Sequence, residues 1–223
     1  MKTSRTRDHI LLVLAIGVLS VSSQSGISQT KTRTKAGTNR KASLEFKGLL
    51  ELQAALKRIP WNKQNKEPYR TFLKRNEKKI VYSDPSAEYY VRSEQFWALR
   101  KKYSALPIAD DIAWAGAKNT LPGECEGYLS CYLDVIRSTD IEYLSFYPNG
   151  THSKRPLQDV INGLTSTVAD LGKNEVHTGP ADASERVEMA KVLAEMHVIV
   201  SKVSHPEKMK LLLQLERIGN TYK

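Results

Sequence analysis

Residues 129–150 read LSCYLDVIRSTDIEYLSFYPNG. Within them Leu129, Tyr132, Leu133, Ile136, Tyr143, Leu144 and Tyr147 recur at spacings of three and four. That is the pattern of a helix with one buried face. Pro148-Asn149-Gly150 ends it, because proline cannot continue a helix and glycine can take the left-handed conformation that a reversal needs. A second stripe follows at once: Leu157, Val160, Ile161, Leu164, Val168 and Leu171, opened by Pro156. Two amphipathic helices joined by a tight reversal bury their stripes against each other. Paired antiparallel helices are the expectation.

The same pattern extends in both directions. Leu44, Phe46, Leu49, Leu50, Ala54, Leu56 and Ile59 form a helical stripe that stops at Pro60. Pro68 opens a helix carrying Tyr69, Phe72 and Leu73, Ser93 caps one with Phe96, Trp97 and Leu99, and Pro107 starts one with Ile108, Ile112 and Ala113. Asp110 and Asp111 fall in a first turn, where the helix dipole favours acids. Towards the C-terminus, Asp182 with Glu185 suits a capping box. The helix they open is apolar nearly all round, which predicts a central position. Pro206 begins the last helix and Gly219 closes it. Residues 80–91 alone place β-branched and aromatic residues on both sides of a turn signal, and fit a short β-hairpin or a helix–turn–helix. The fold class is therefore all-α, as a helical array or an irregular bundle, with at most one small hairpin.

Residues 1–23 are of another kind. Lys2, Arg5 and Arg7 precede an apolar run from Ile10 to Val21, followed by Ser22-Ser23. A basic start, a short greasy centre and small residues make a secretory signal peptide. The run is short of the ~20 residues that a spanning helix needs, so no transmembrane span is expected after cleavage. Asp8 lies close to the run and leaves a retained anchor as the alternative. Removing these residues lowers the formal charge from +10 to +8. Residues 24–43 hold Lys31, Arg33, Lys35, Arg40 and Lys41, no acid, and Ile27 as their one large aliphatic residue. Composition predicts a disordered basic linker there. A single helical domain is expected over 44–223, with an ordinary 40% apolar content for the whole chain.

Cys125 and Cys131 are the two cysteines. In an oxidising compartment they are a disulfide candidate, with two free thiols as the alternative. Six helical residues rise about 9 Å, whereas a disulfide holds its Cα atoms within about 7 Å. A bridge therefore requires Cys125 in the loop before the helix that carries Cys131.

The segment Tyr143-Leu144-Ser145-Phe146-Tyr147-Pro148-Asn149-Gly150-Thr151-His152, with Leu157 and Ile161, resembles one repeat junction of tetratricopeptide-like proteins of the bacterial envelope. The run from Tyr89 through Leu157 is also similar to exported bacterial proteins with an Ala-Trp helix, a Gly-Glu-Cys-Glu-Gly loop and a Tyr-Pro-x-Gly turn. The resemblance implies a tetratricopeptide-like array and an envelope location, periplasmic or extracellular. It implies no activity.

Catalytic signals are sparse. Glu124 and Glu126 are loop carboxylates that an envelope hydrolase of sugar or peptidoglycan bonds could use as its acid. His152, His177, His197 and His205 show no metal-ligand spacing, no G-x-S-x-G motif occurs, and no cofactor or metal is expected. The stronger pattern is aromatic and basic: Tyr82, Tyr90, Arg92, Trp97, Arg100 and Trp114, the residue types that dominate binding hot spots. They predict a non-catalytic scaffold or interaction protein whose partner is a protein, a peptide or an anionic envelope polymer, not nucleic acid. Core packing of Trp97 and Trp114 is the competing expectation.

Overall fold

The computed structural model describes residues 25–122, 125, 128–171 and 183–221. The leader expected at 1–23 and the capping residue Asp182 lie outside them. The chain divides into two units, Met1–Gly37 and Thr38–Lys223. In the first, the described residues are helical. The second is helical with one two-stranded sheet.

Helix α1 spans Ser25–Leu56. Helix thus begins inside the segment 24–43 that composition assigns to a disordered linker. Ala42 is fully buried while residues 36–41 are exposed. Once a packed stretch nucleates a helix, adding residues to its end costs little, and this is the physical reason for the difference. A short 3₁₀ turn (Trp61–Lys63) leads to α2 (Tyr69–Asn76), whose cap is Pro68. The next segment is the hairpin, β1 (Ile80–Ser83) and β2 (Glu88–Val91), paired Ile80↔Val91 through Ser83↔Glu88. Then come α3 (Ser93–Lys102), with Arg92 rather than Ser93 at its cap position, and α4 (Ile108–Lys118).

Residues 129–146 do not form one regular helix. They form α5 (Leu129–Ile136), a π-helical segment (Arg137–Ile141) and α6 (Glu142–Phe146). Ser138 and Thr139 explain the interruption. The Ser138 hydroxyl donates to the Asp134 carbonyl at 2.7 Å and that of Thr139 to Val135 at 2.8 Å. Side-chain hydroxyls that occupy i−4 carbonyls compete with the backbone amides and loosen the turn. The widened turn brings Thr139, Asp140 and Ile141 inside. Tyr132, on the predicted buried stripe, is instead 41% exposed. α7 (Lys154–Leu171), α8 (Ala183–Ser201) and α9 (Lys208–Thr221) complete the chain, with Gly219 inside α9. α8 buries Met189, Val192, Leu193, Met196, Ile199 and Val200 but leaves Val187 and Val198 more than half exposed. No helix among the described residues is long and apolar enough to cross a membrane.

Two apolar clusters share α4. One gathers Ala113 and Ala117 of α4 with Leu129, Leu133, Tyr143, Leu157, Leu164, Met196 and Leu211. The other gathers Ile112 with Leu56, Leu73, Ile80, Val91, Phe96 and Leu99. α3 lies close against α4 because Gly116 has no side chain; a Cβ there would sit 3.0 Å from that of Phe96. α1 is held on α3 by an edge-on Phe46–Phe96 contact at 6.5 Å and a Lys102–Glu45 ion pair at 2.7 Å.

Leu133 and Tyr132 are neighbours with opposite burial. Leu133→Ala is expected to cost about 2–5 kcal/mol in urea unfolding, as a buried leucine does. Tyr132→Ala is expected to cost less than about 1 kcal/mol. Equal losses would show that the π turn does not set this register.

Candidate functional site

The hairpin is short, and two strands alone are marginal in water. Its inner end is therefore built into the second cluster through Ile80 and Val91. Polar side chains complete the anchoring. Gln53 of α1 accepts the Val91 amide at 2.7 Å, and the Asn119 side-chain amide donates to the Val91 carbonyl. Gln64 donates to Ala87 at 2.7 Å, in a turn where Ala87 takes φ 53°. Towards the turn, Ser83 is buried and donates its hydroxyl to the Pro122 carbonyl at 3.4 Å, while on the other face Tyr82 and Tyr89 pair at 5.0 Å between ring centroids. Between this pair and α2 runs a groove of about 430 Å³. Tyr82, Tyr89 and Ile80 line it on one side and Leu73 on the other, with Arg70, Lys74 and Arg92 as cations and Glu77 as the acid.

The six residues singled out by sequence occupy three settings. Tyr82 and Arg92 share the groove. Tyr90 points to the opposite face of the sheet, as strand alternation requires, and its hydroxyl donates to Glu88 at 3.1 Å. Trp97 and Arg100 of α3 turn towards α6. Trp97 lies 5.9 Å from the Phe146 ring, and the Arg100 guanidinium sits 3.7 Å over that ring while donating to the Tyr147 hydroxyl at 3.3 Å. Trp114 stacks on His152 at 5.4 Å and 6°. Cys125 and Cys131 are disulfide-bonded with Cα atoms 5.4 Å apart, Cys125 in the loop and Cys131 in the first turn of α5. Glu124 and Glu126 lie outside the described residues.

A polar constellation that sequence reasoning missed surrounds α4. At its start, the buried Tyr143 hydroxyl donates to Asp110 at 2.5 Å and accepts the His152 amide at 3.2 Å. The other Asp110 oxygen accepts the Thr151 amide at 2.7 Å, and Asp111 pairs with His152 Nε2 at 2.7 Å. These contacts clamp the reversal between α6 and α7 onto α4. Gly150 is needed there for space and not for a left-handed backbone. A Cβ would meet the Tyr143 hydroxyl at 2.7 Å and Asp110 at 2.8 Å. At the end of α4, the Lys118 ammonium bridges Asp140 at 2.9 Å and Asp159 at 2.8 Å.

Burial, reinforced by the Asp110 carboxylate, pushes the Tyr143 hydroxyl far above its ordinary range, so it stays a donor. Burial raises Asp140 despite Lys118. Burial also opposes ionisation of Asp159, but Lys118 and Arg155 outweigh it and hold that carboxyl below its usual range. Lys118 is itself held above its ordinary value by the two acids, against the effect of burial. The arrangement serves architecture. His152 is covered by Trp114 and engaged by Asp111, and the adjacent Ser153 hydroxyl donates to the Gly150 carbonyl at 2.8 Å. Among the described residues, no group of three or more His, Cys, Asp or Glu side chains could hold a metal ion.

No family model, curated protein or solved structure matches the chain.

The two acids on Lys118 are shifted in opposite directions and so contribute unequally to stability. A depressed carboxyl stabilises the fold above its unfolded range and loses that contribution as pH falls. A raised one opposes folding once it ionises. At neutral pH, Asp159→Asn is expected to lower stability by about 0.5–1 kcal/mol, the scale for a partly exposed pair. Asp140→Asn should cost less, and the Asp159→Asn deficit should vanish as pH falls through the carboxylate range. Urea unfolding across that range checks both; a larger loss for Asp140→Asn contradicts the assignment.

Proposed function

We propose that this protein is an exported, non-catalytic interaction protein of the bacterial envelope. Its partner is a protein or peptide, or an anionic envelope polymer, received in the groove between α2 and the hairpin. The observation that carries the reading is the aromatic pair of exposed Tyr82 and half-buried Tyr89 beside Arg92, Lys74 and Arg70. Aromatic anchors with arginine supply contact area and orientation at low entropic cost. The leader-like pattern of residues 1–23 and the Cys125–Cys131 bond support export, since such bonds persist in oxidising compartments. A hydrolase would rest on Glu124 or Glu126, and no described geometry favours it.

Two measurements test the proposal. Intact mass of the protein from exported fractions should correspond to a chain without its first ~23 residues and with both thiols oxidised. A cytosolic product that retains Met1–Ser23 and two free thiols contradicts export. A photo-crosslinking residue at Tyr82 should capture an envelope component that the same residue at Tyr132, exposed on α5, does not. Equal capture at both positions contradicts the groove.

A further inference from the structure

The hairpin's backbone narrows what the groove can hold. Arg92 donates its amide to the Lys79 carbonyl at 2.9 Å, which makes Lys79–Arg92 a hydrogen-bonded pair of the antiparallel ladder. Such pairs alternate, so Val81–Tyr90 and Ser83–Glu88 are bonded pairs in the register that sets Ile80 opposite Val91. Ile80–Val91 and Tyr82–Tyr89 are then the non-bonded pairs, whose N–H and C=O groups point outward. Val91 confirms the assignment, because both of its outward groups are taken by side chains, Gln53 and Asn119. β1 has no such cover at Tyr82, which is exposed and whose outward groups make no hydrogen bond among the described residues, whereas Ile80 is buried in the second cluster. Ile80, Val81 and Tyr82 all line the groove. Consecutive side chains alternate between faces, so three in a row means that the β1 backbone itself borders the cavity.

Charge identifies the occupant. Arg70 is paired with Glu67 at 2.9 Å, but Lys74 and Arg92 have no carboxylate partner among the described residues. Cations beside a free edge repel a basic strand and attract an acidic one. A second copy of this chain joined edge to edge would bring its own Lys74 and Arg92 against these, which disfavours self-pairing. We infer that the groove receives an extended acidic peptide segment, which adds to the outer edge of β1 as a third strand. The inference rests on the groove being the binding site, and it specifies both the class of partner and the mode of recognition. The edge supplies main-chain hydrogen bonds, Tyr82 and Tyr89 supply apolar contact, and the cations select acids.

The test uses the full mature chain with its disulfide intact and labelled synthetic peptides of about eight residues, a strand's length. A peptide alternating Glu and Val should bind, and should weaken with rising salt. Its Lys/Val counterpart should not bind. N-methylation of alternate residues in one register should weaken the Glu/Val peptide by roughly tenfold or more, and in the other register only slightly. Tyr82→Pro removes an outward amide that proline can vacate on an edge strand, so it should weaken binding well beyond Tyr82→Ala. Lys74→Glu with Arg92→Glu should reverse the preference between the two peptides. Binding indifferent to N-methylation in both registers overturns strand addition but leaves the groove as a site. Failure of the Glu/Val peptide to bind overturns the inference, and crosslinking at Tyr82 then reports separately whether the groove reading survives.

Discussion

α4 is pinned at its start to α6 and the reversal that follows it, and at its end to the π segment and α7, and the rest of the body is arranged around that constraint. Asp110 and Asp111 at its start hold the Tyr143 hydroxyl, the Thr151 amide and the His152 ring. Lys118 at its end holds Asp140 of the π segment and Asp159 of α7. The signs match the helix dipole at both ends, so local electrostatics and long-range pairing favour the same side chains. Between the pins, Ala113, Gly116 and Ala117 are small enough for close packing. Ile112 on the same helix belongs to the other cluster. An eleven-residue helix thereby becomes the wall shared by two cores.

The groove follows from what that wall leaves uncovered. The second cluster takes the inner end of the hairpin, Ile80 and Val91, together with Leu73 of α2 and Phe96 and Leu99 of α3. Tyr89 packs partly against that cluster, and Tyr82 lies exposed beside it, facing the groove along α2. In the proposed site, the buried inner half of the hairpin holds Tyr82 and Tyr89 in place, which would combine preorganisation with access.

Much of this was legible in the sequence. Stripes at spacings of three and four gave the helices. β-branched and aromatic residues around Asp84-Pro85 narrowed that segment to a hairpin or a helix–turn–helix, and the rise of a helix required Cys125 to lie in a loop if the two cysteines are bonded. The π segment was not legible because Ile136 and Tyr143 keep a helical spacing whether or not the turn between them widens; the adjacent Ser138-Thr139 pair was the available signal. The clamp was hidden for a different reason. Asp110 and Asp111 already had a sufficient local explanation, and their partners lie 33 and 41 positions along the chain. The aromatic and basic residues were grouped by nearness in sequence. Strand alternation then sends Tyr90 away from Tyr82, and α3 turns Trp97 and Arg100 towards α6.

Native-state hydrogen exchange at the Thr151 and His152 amides tests the central constraint most directly. If the Asp110–Tyr143 clamp fixes the reversal on α4, both amides exchange only through global unfolding, as slowly as core amides such as that of Ile161. Exchange as fast as at exposed turn residues such as Ser104 would show a reversal that opens on its own, and would contradict α4 as the element that organises the fold.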